Sequence, residues 1–363
     1  MSDVMARGMQ GDAEPQPAAY VRAAVAAVAA YTPGEQPSDP AVIKLNTNEN
    51  PYPPTARVRT AIAEACRDLH LYPDPSARRL RELAAELYRV DPEGVVTGNG
   101  SDELLSILMR AVIDPGESVA YPVPTYSLYD TLVALQAANA VRIPFGDDFV
   151  LPVGIFAAPA RMLIICNPNS PSGTVTPVGR LDELARKRRD ALVVIDEAYV
   201  DFAAETSLDL VGRHPNVVVL RTMSKSYSLA GLRVGFALTR PGLALQLAKV
   251  KDSYNLSRLA QAGAIAALED QATMLAHAGR VRATRSRLTA ALETLGFEVL
   301  PSQANFVLAR RRGESLEALA NALKASRILV RYFAALPDAL RISIGSDEQV
   351  DRLIAALREI LAR

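Results

Sequence analysis

The chain has 363 residues, of which 49% are apolar and 22% are charged, so it can form a sizeable core and general disorder is excluded. Its 40 lysines and arginines balance 40 aspartates and glutamates, and a neutral chain is not typical of proteins that bind nucleic acid or anionic membranes. The length predicts two or three domains of about 150 residues each. Two cysteines, and three histidines without metal-ligand spacing, indicate a cytoplasmic protein with neither a disulfide framework nor a zinc site.

The N-terminal region has no core of its own. Residues 1–17 mix glycine, proline, glutamine and acidic residues without periodicity, so we expect them to be disordered. The alanine-rich run 18–31 is interrupted by Arg22 and favours a short helix over a signal peptide. No stretch approaches the roughly 18 apolar residues that a membrane helix needs. We expect residues 18–54 to pack on a C-terminal unit.

Short apolar runs that end in polar or glycine turns follow one another through the middle of the chain. They are residues 93–97, 118–121, 140–145, 162–166, 191–195, 216–220 and 233–238. Near-continuous apolar runs are typical of strands buried on both faces, and leucines at helical spacing lie between them. This alternation predicts an α/β fold over residues 55–255, with a mostly parallel sheet flanked by helices.

The C-terminal third of the chain has a different pattern, with two helices, four strands and a closing helix in mixed order. The helices are predicted at 276–295, 315–326 and 347–361, and the strands at 297–300, 305–309, 328–331 and 340–344. We interpret residues 256–363 as a linking helix and a smaller α+β domain.

Polar and titratable side chains follow several predicted strands directly, in residues 98–103, 121–126, 167–173, 196–199 and 222–225. Because ligands of parallel sheets bind at the carboxyl ends of the strands, these groups predict a single site. Residues 98–103 precede a helix and suit a phosphate, although an ordinary helix cap explains them as well. The third glycine of a dinucleotide motif and a P-loop lysine are absent, which disfavours a nucleotide.

Two charged residues stand out in this set. Asp196 ends a buried strand and needs a partner, which a cationic pyridine ring or a local turn could supply. Lys225 is one of six lysines and follows another strand. A partly buried lysine titrates readily and can form a Schiff base. The hydroxyls of Thr222 and Ser224 around it, and Arg233 after the next turn, are groups that hold a phosphate.

Together these residues resemble the pyridoxal-phosphate-dependent aminotransferases of fold type I, and within them the histidinol-phosphate aminotransferase family. The matching segments are residues 45–52, 72–75, 98–103, 124–126, 167–173, 196–199, 224–233 and 340–345. The resemblance implies that Lys225 binds pyridoxal 5'-phosphate and later moves the substrate's α-proton. It also implies that Asp196 keeps the ring nitrogen protonated, Tyr199 contacts the phenolate oxygen and Tyr126 stacks on the ring.

The resemblance further implies the cofactor-phosphate and substrate contacts. The phosphate residues would be Gly100, Ser101, Asp102, Thr222, Ser224 and Arg233, together with Tyr72 from the second subunit of a homodimer. The substrate residues would be Tyr31, Asn50, Arg331 and Arg341. Many relatives have asparagine where this chain has Ser170. We therefore expect the adjacent Asn169 to make the ring-oxygen contact, or that contact to weaken.

The implied reaction belongs to histidine biosynthesis. It transfers the amino group of L-histidinol phosphate to 2-oxoglutarate and gives imidazole acetol phosphate and glutamate. Three alternatives stay open at this point: an aromatic-amino-acid aminotransferase, a decarboxylase of a phosphorylated amino acid, and a non-catalytic binding protein. The presence of Lys225, Asp196, Tyr199 and Arg233 argues against the last of these.

Overall fold

A computed structural model describes residues 20–28 and 34–362 of the chain. The helices of these stretches are α1 Ala23–Ala26, α2 Ala56–Ala65, α3 Arg78–Tyr88, α4 Gly100–Val112, α5 Leu128–Leu135, α6 Val178–Lys187, α7 Asp209–Arg213, α8 Pro241–Val250, α9 Arg258–Leu268, α10 Gln271–Thr294, α11 Glu317–Ala325 and α12 Asp347–Leu361. The strands are β1 Ile43–Leu45, β2 Val95–Gly98, β3 Ser118–Val123, β4 Asn139–Pro144, β5 Met162–Cys166, β6 Leu192–Asp196, β7 Val217–Thr222, β8 Gly235–Leu238, β9 Glu298–Val299, β10 Phe306–Arg310, β11 Ile328–Phe333 and β12 Leu336–Ser343. Residues 1–17, for which we expect disorder, lie outside the described residues.

The larger sheet has seven strands in the order β2-β8-β7-β6-β5-β3-β4. The pairs from β7 through β6, β5 and β3 to β4 are parallel, whereas β8 runs antiparallel to both of its neighbours. This confirms the predicted α/β class with a mostly parallel sheet. The direction of β8 could not be predicted, because the periodicity of a buried strand is the same in both directions.

Alternating side chains of the central strands enter two separate cores. Val193 and Ile195 of β6 belong to the core on one face of the sheet, and Val194 belongs to the core on the other. β-Branched residues such as these favour extended backbone and pack well on a pleated surface. The two filled cores hold the strand ends rigidly, and the polar residues that follow β6 and β7 therefore have fixed positions.

The smaller sheet has five strands in the order β1-β11-β12-β10-β9. β1 comes from the N-terminal segment and pairs in parallel with β11, with Ile43 opposite Ile328. The remaining pairs are antiparallel. Residues 43–45 thus join the C-terminal unit and bring the segment after β1 to the carboxyl edge of the larger sheet.

Three details differ from the sequence-based expectations. Arg22 donates a hydrogen bond of 2.5 Å to the Leu135 carbonyl at the end of α5, so the start of the described N-terminal segment contacts the larger unit. α9 also packs on α2 of the larger unit, so closely that a Cβ at Gly263 would lie 3.0 Å from the Ile62 side chain. β4 is an edge strand whose residues are partly or fully exposed, although its sequence predicts burial on both faces.

Within residues 20–28 and 34–362, no helix is long and apolar enough to cross a membrane.

Candidate active site

A cavity of about 540 Å³ lies at the carboxyl ends of the central strands. It is closed on one side by the smaller sheet, through residues that follow β1 and residues of β11 and β12. Most of the predicted site residues line it, namely Ser101, Asp102, Tyr126, Asp196, Tyr199, Thr222, Ser224, Lys225, Arg233, Arg331 and Arg341. The topology therefore brings together groups that lie up to 240 positions apart in the chain.

Asp196 lies at the floor of the cavity. Its side chain is buried, and its Oδ2 accepts a hydrogen bond of 2.8 Å from the Tyr129 hydroxyl. Its Oδ1 accepts from the Ala198 backbone N–H at 3.2 Å. Burial raises the pKa of this carboxyl to about 6, against the lowering effect of the Tyr129 hydrogen bond. A cationic partner in the cavity would therefore stabilise the ionised form strongly.

Lys225 faces the same cavity. Burial, and then the positive charge of Arg341, lower the pKa of its ammonium to about 8. Its Nζ lies 5.6 Å from the centroid of the Tyr199 ring. Among the described residues, Nζ donates no hydrogen bond. An amine with a pKa near 8 is neutral in an appreciable fraction of molecules at neutral pH, as a nucleophile or proton acceptor must be.

Tyr199 is held from two sides. Its hydroxyl accepts a hydrogen bond of 3.2 Å from Asn48 Nδ2, and its ring meets Phe306 edge to face with centroids 5.0 Å apart. Burial raises the pKa of Tyr199 to about 12, so its hydroxyl stays protonated and can donate to an oxyanion in the cavity.

A ring of hydrogen-bond donors surrounds the start of α4. Arg233 donates to Ser224 Oγ at 3.2 Å and to Asp102 Oδ2 at 3.0 Å, and Thr222 Oγ1 donates to Ser224 Oγ at 3.0 Å. Gly100 has a φ of +79°, and a Cβ there would lie 2.5 Å from Arg233 Nη2. Only glycine therefore allows the helix start to lie this close to the guanidinium.

A second glycine brings this helix start to the sheet. A Cβ at Gly235, the first residue of β8, would lie 2.7 Å from the Gly100 carbonyl carbon and 2.8 Å from the Ser101 nitrogen. The side chain of Asn99 does not cap the helix. The N-terminal N–H groups of α4, Arg233 and the hydroxyls of Thr222 and Ser224 together make a site suited to a phosphate.

Two arginines of the smaller sheet face the cavity from the opposite side. Arg331 of β11 and Arg341 of β12 are direct cross-strand neighbours. Both guanidinium carbons lie 5.4 Å from the centroid of the Phe333 ring. Arg341 also donates to Ser170 Oγ at 3.1 Å and to the Asn46 carbonyl at 2.9 Å. Like charges directly opposite each other destabilise a sheet, so this pair indicates a site for an anion.

Four predicted site residues do not line the cavity. Asn169 is buried, and its amide binds Thr125, Ser172 and the Pro124 carbonyl, whereas Ser170 lies on the cavity wall. The Asn169 amide is engaged in contacts within the protein, so of the two alternatives the weakened ring-oxygen contact fits the geometry better, and the contact itself stays a prediction. Gly100 shapes the helix start as described above. Asn50 donates to the carbonyls of Lys225 at 3.0 Å and Ser226 at 3.1 Å, so it supports the lysine loop.

Tyr72 is remote from the cavity of its own chain. Its side chain is 78% exposed and stacks on Tyr254, with ring centroids 4.6 Å apart. Tyr31, predicted at the substrate pocket, lies outside the described residues.

Sequence reasoning missed several residues that the structure brings to the site. Asn48 lies inside the segment 45–52, which the sequence had already singled out. Cys166 is the last residue of β5 and lines the cavity. Tyr129 follows Tyr126 by three positions and lies in the first turn of α5, just after the loop that carries Tyr126. That spacing was the available signal, but it does not show which carboxylate the hydroxyl contacts.

Comparison with known proteins agrees with this geometry. The family model "Aminotransferase class I and II" matches residues 40–357. A histidinol-phosphate aminotransferase 1 from Nostoc sp. is 48% identical over 347 residues, and one from Trichormus variabilis is 46% identical over 347 residues. Each alignment covers 94% of this chain and 98% or 99% of the relative.

A solved structure is similar over most of its length. The crystal structure of histidinol-phosphate aminotransferase from Sinorhizobium meliloti in complex with pyridoxal-5'-phosphate has a TM-score of 0.82 and 30% identity. It covers 88% of this chain and 91% of that one. The chain therefore belongs to the class I and II aminotransferase family, within its histidinol-phosphate aminotransferase branch.

Proposed function

We propose that this chain catalyses amino transfer from L-histidinol phosphate to 2-oxoglutarate with pyridoxal 5'-phosphate as cofactor, as a step of histidine biosynthesis in the cytoplasm. The observation that carries the proposal is the joint placement of Lys225, Asp196 and the Arg331–Arg341 pair around one cavity. The names of the relatives support the choice of substrate, and the named cofactor of the Sinorhizobium meliloti structure supports the choice of cofactor.

The cavity residues fit this cofactor in three respects. Asp196 is a buried carboxylate whose ionised form needs a cationic partner, and a protonated ring nitrogen is one. Lys225 has the lowered pKa of a lysine that forms a Schiff base. The start of α4, with Arg233 and Ser224, offers donors for a phosphate. When bound, pyridoxal phosphate acts as an electron sink for the substrate's α-carbon.

The chain's own groups would then divide the work. Lys225 Nζ moves the α-proton, because its pKa of about 8 lets it accept and return a proton near neutral pH. The Tyr199 hydroxyl would donate to an oxyanion of the bound cofactor. Tyr126, whose hydroxyl donates to Asp102 Oδ1 at 3.2 Å, would pack against the cofactor ring. The smaller sheet closes the cavity on the side next to these groups.

The two arginines set the substrate class. An aminotransferase must accept two substrates in turn, here a phosphate monoester and a dicarboxylate. A guanidinium pairs with either anion in bidentate geometry. Arg341, held by Ser170 and the Asn46 carbonyl, has a fixed position for this contact, and Arg331 lies beside it on the neighbouring strand.

We also propose that the enzyme is a homodimer in which Tyr72 reaches the cofactor phosphate of the partner subunit. The support is its 78% exposure, its stacking on Tyr254 and the exposed leucines 69 and 71 next to it. The test mixes inactive Lys225→Ala chains with Tyr72→Phe chains under conditions that exchange subunits. A shared site restores wild-type cofactor affinity at one of the two sites in each mixed dimer. Affinity that stays at the Tyr72→Phe level at every competent site would contradict this role.

The substrate is tested with a panel of amino donors and 2-oxoglutarate as acceptor, following glutamate formation. We expect kcat/KM to be highest for L-histidinol phosphate, because its phosphate can bind the arginine pair. L-Histidinol, which lacks the phosphate, is the matched control and should be a much poorer donor. A preference for phenylalanine or tyrosine over histidinol phosphate would overturn the proposal.

A further inference from the structure

Tyr129 contacts two residues of the site without lining the cavity itself. It lies on α5 with no exposed surface. Its hydroxyl donates to Asp196 Oδ2 at 2.8 Å. Its ring meets the Tyr126 ring edge to face, with centroids 5.7 Å apart and planes at 85°. One side chain therefore supports both the carboxylate on the cavity floor and the aromatic ring on the cavity wall.

We propose that Tyr129 is a positioning residue, which holds the Asp196 carboxylate in place and in its ionised form for binding the cofactor's ring nitrogen. This inference rests on the function proposed above, and it assigns a role to a residue outside the cavity. The hydroxyl lies at an ordinary hydrogen-bond distance of 2.8 Å from Oδ2, and a hydrogen bond to the ionised carboxylate favours that form over the protonated acid and holds it in place.

The charges around Asp196 make this donor important. The titratable groups that face it come from α5, the ends of β5 and β6, α4 and the loop after β6, and they are Tyr129, Cys166, Glu197, Asp102 and Tyr199. Asp102 and Glu197 carry negative charge and raise the pKa of Asp196, as burial does. The Tyr129 hydroxyl and the Ala198 N–H lower it.

Tyr129 itself stays a donor at every working pH. Burial, with the charge of Asp196, raises the pKa of Tyr129 well above its ordinary value. Burial likewise raises the pKa of the Cys166 thiol, which stays neutral. Without the Tyr129 hydroxyl, the Ala198 N–H would still lower the pKa of Asp196, while burial and the charges of Asp102 and Glu197 would raise it. Asp196 would then be protonated at higher pH, and a neutral acid no longer pairs with a cationic ring.

The test compares Tyr129→Phe with Tyr121→Phe in the full chain. The phenylalanine at position 129 keeps the ring that packs on Tyr126 and removes only the hydroxyl. Tyr121 is a matched control, because it is equally buried and donates to a different acid, Asp130 Oδ1, at 2.5 Å. The readout is the dissociation constant of pyridoxal 5'-phosphate, measured from its absorbance between pH 5.5 and 8.5.

We expect Tyr129→Phe to weaken cofactor binding about tenfold or more at pH 7.5, and to move the acidic fall in affinity to higher pH. Tyr121→Phe should leave both quantities as in the wild type. In an Asp196→Asn background, Tyr129→Phe should add little, because the carboxylate it acts on is gone.

The outcomes separate this inference from the proposed function. If the wild type binds pyridoxal phosphate and Tyr129→Phe has the same affinity and pH profile as Tyr121→Phe, the role of Tyr129 is wrong while the function stands. If Tyr129→Phe weakens binding equally in the Asp196→Asn background, Tyr129 acts as a structural residue only, and the inference also fails. If the wild type does not bind the cofactor, the proposed function fails first. Should Tyr129→Phe not fold, 3-fluorotyrosine placed at position 129 tests the inference instead, because it keeps the ring and makes the hydroxyl a stronger donor to Asp196. The acidic fall in affinity should then move to lower pH, and an unchanged pH profile would overturn the role of Tyr129.

Discussion

Neighbouring side chains at the ends of β6 and β7 lie in two different regions, one in the cavity and one behind it. Asp196 lines the cavity, and the next residue, Glu197, is directed behind it. Arg221 likewise lies behind the sheet edge, and Thr222 lines the cavity. This follows from the alternation of side chains along a strand. We call Glu197, Asp201 and Arg221 the buried ion network, and Asp196, Lys225, Arg331 and Arg341 the cavity charges.

The buried ion network is satisfied within the protein. Arg221 donates to Glu197 Oε2 at 3.0 Å and to Asp201 Oδ1 at 2.5 Å. Glu197 also accepts from Thr206 and from the Ser207 N–H, and Asp201 accepts from the Ser226 hydroxyl. Since Ser226 follows Lys225 directly, this network fixes the loop that carries the lysine.

The cavity charges lie in less favourable surroundings. Burial moves the pKa of Asp196 up and that of Lys225 down, each toward its neutral form, and two arginines face each other across neighbouring strands. The difference indicates that the network stabilises the fold, whereas the cavity charges lower its stability until ligands neutralise them.

The largest expected effect is on catalysis. Lys225→Ala should lower turnover by roughly a thousandfold or more, because it removes the group that we propose moves the α-proton. Lys251→Ala is the matched control, since burial also lowers the pKa of Lys251 but this residue lies outside the cavity. Borohydride reduction and peptide mapping of the wild type should place the pyridoxyl label on Lys225. A label on Lys44 or Lys251 would refute the assignment.

The next effect is on stability. Arg221→Met removes the cation of the buried ion network and leaves Glu197 and Asp201 without compensation. We expect it to lower the free energy of unfolding by about 3–5 kcal/mol. Arg287→Met, which breaks the exposed pairs with Asp347 and Asp351, should cost at most about 1 kcal/mol. Similar losses in urea unfolding for both variants would remove the contrast between the two regions.

A third effect is the pH dependence of the cofactor-free chain. Between pH 3.8 and about 6 the folded chain keeps a proton on Asp196 that the unfolded chain has lost, so the free energy of unfolding falls as pH rises. Between about 8 and 10.5 the unfolded chain keeps a proton that folded Lys225 has lost, so this free energy rises with pH. The contribution is at most about 3 kcal/mol for Asp196 and about 3.5 kcal/mol for Lys225. The difference between the stability curves of the wild type and Asp196→Asn should show the first pH window, and the difference from Lys225→Met should show the second. Differences that do not vary with pH would contradict the two pKa shifts.

The smallest effect concerns the arginine pair. Arg341→Met should raise KM for histidinol phosphate and for 2-oxoglutarate together, each about tenfold, because one guanidinium serves both anions. The free energy of unfolding should change little, since relief of the repulsion with Arg331 offsets the lost hydrogen bonds to Ser170 and the Asn46 carbonyl. Steady-state kinetics and urea unfolding of the same preparation measure both quantities. A rise in only one of the two KM values would show that the substrates use different cations.

The sequence predicts the part of the site that a single strand end determines. Asp196 and Lys225 each follow an apolar run, and the edge of a parallel sheet brings such ends together. The long-range contacts between side chains were beyond prediction. Asn48 reaches Tyr199 over 151 positions, and Tyr129 reaches Asp196 over 67, and periodicity carries no information on such contacts. The position of the Asn169 amide depends on hydrogen bonds to Thr125 and Pro124 of another loop and to Ser172 of its own, which composition alone does not show.

The contrast between the buried ion network and the cavity charges is tested most directly by the free energy of unfolding of Asp196→Asn and of the wild type at pH 7.5. Both are measured with and without saturating pyridoxal 5'-phosphate, at a fixed protein concentration. Without cofactor, the variant should be the more stable protein, because it lacks a buried carboxylate that is costly to ionise. With cofactor, the order should reverse, because only the wild type gains the pairing between the carboxylate and the ring nitrogen. A variant that is less stable in both states, or that gains as much from the cofactor as the wild type does, would contradict the account.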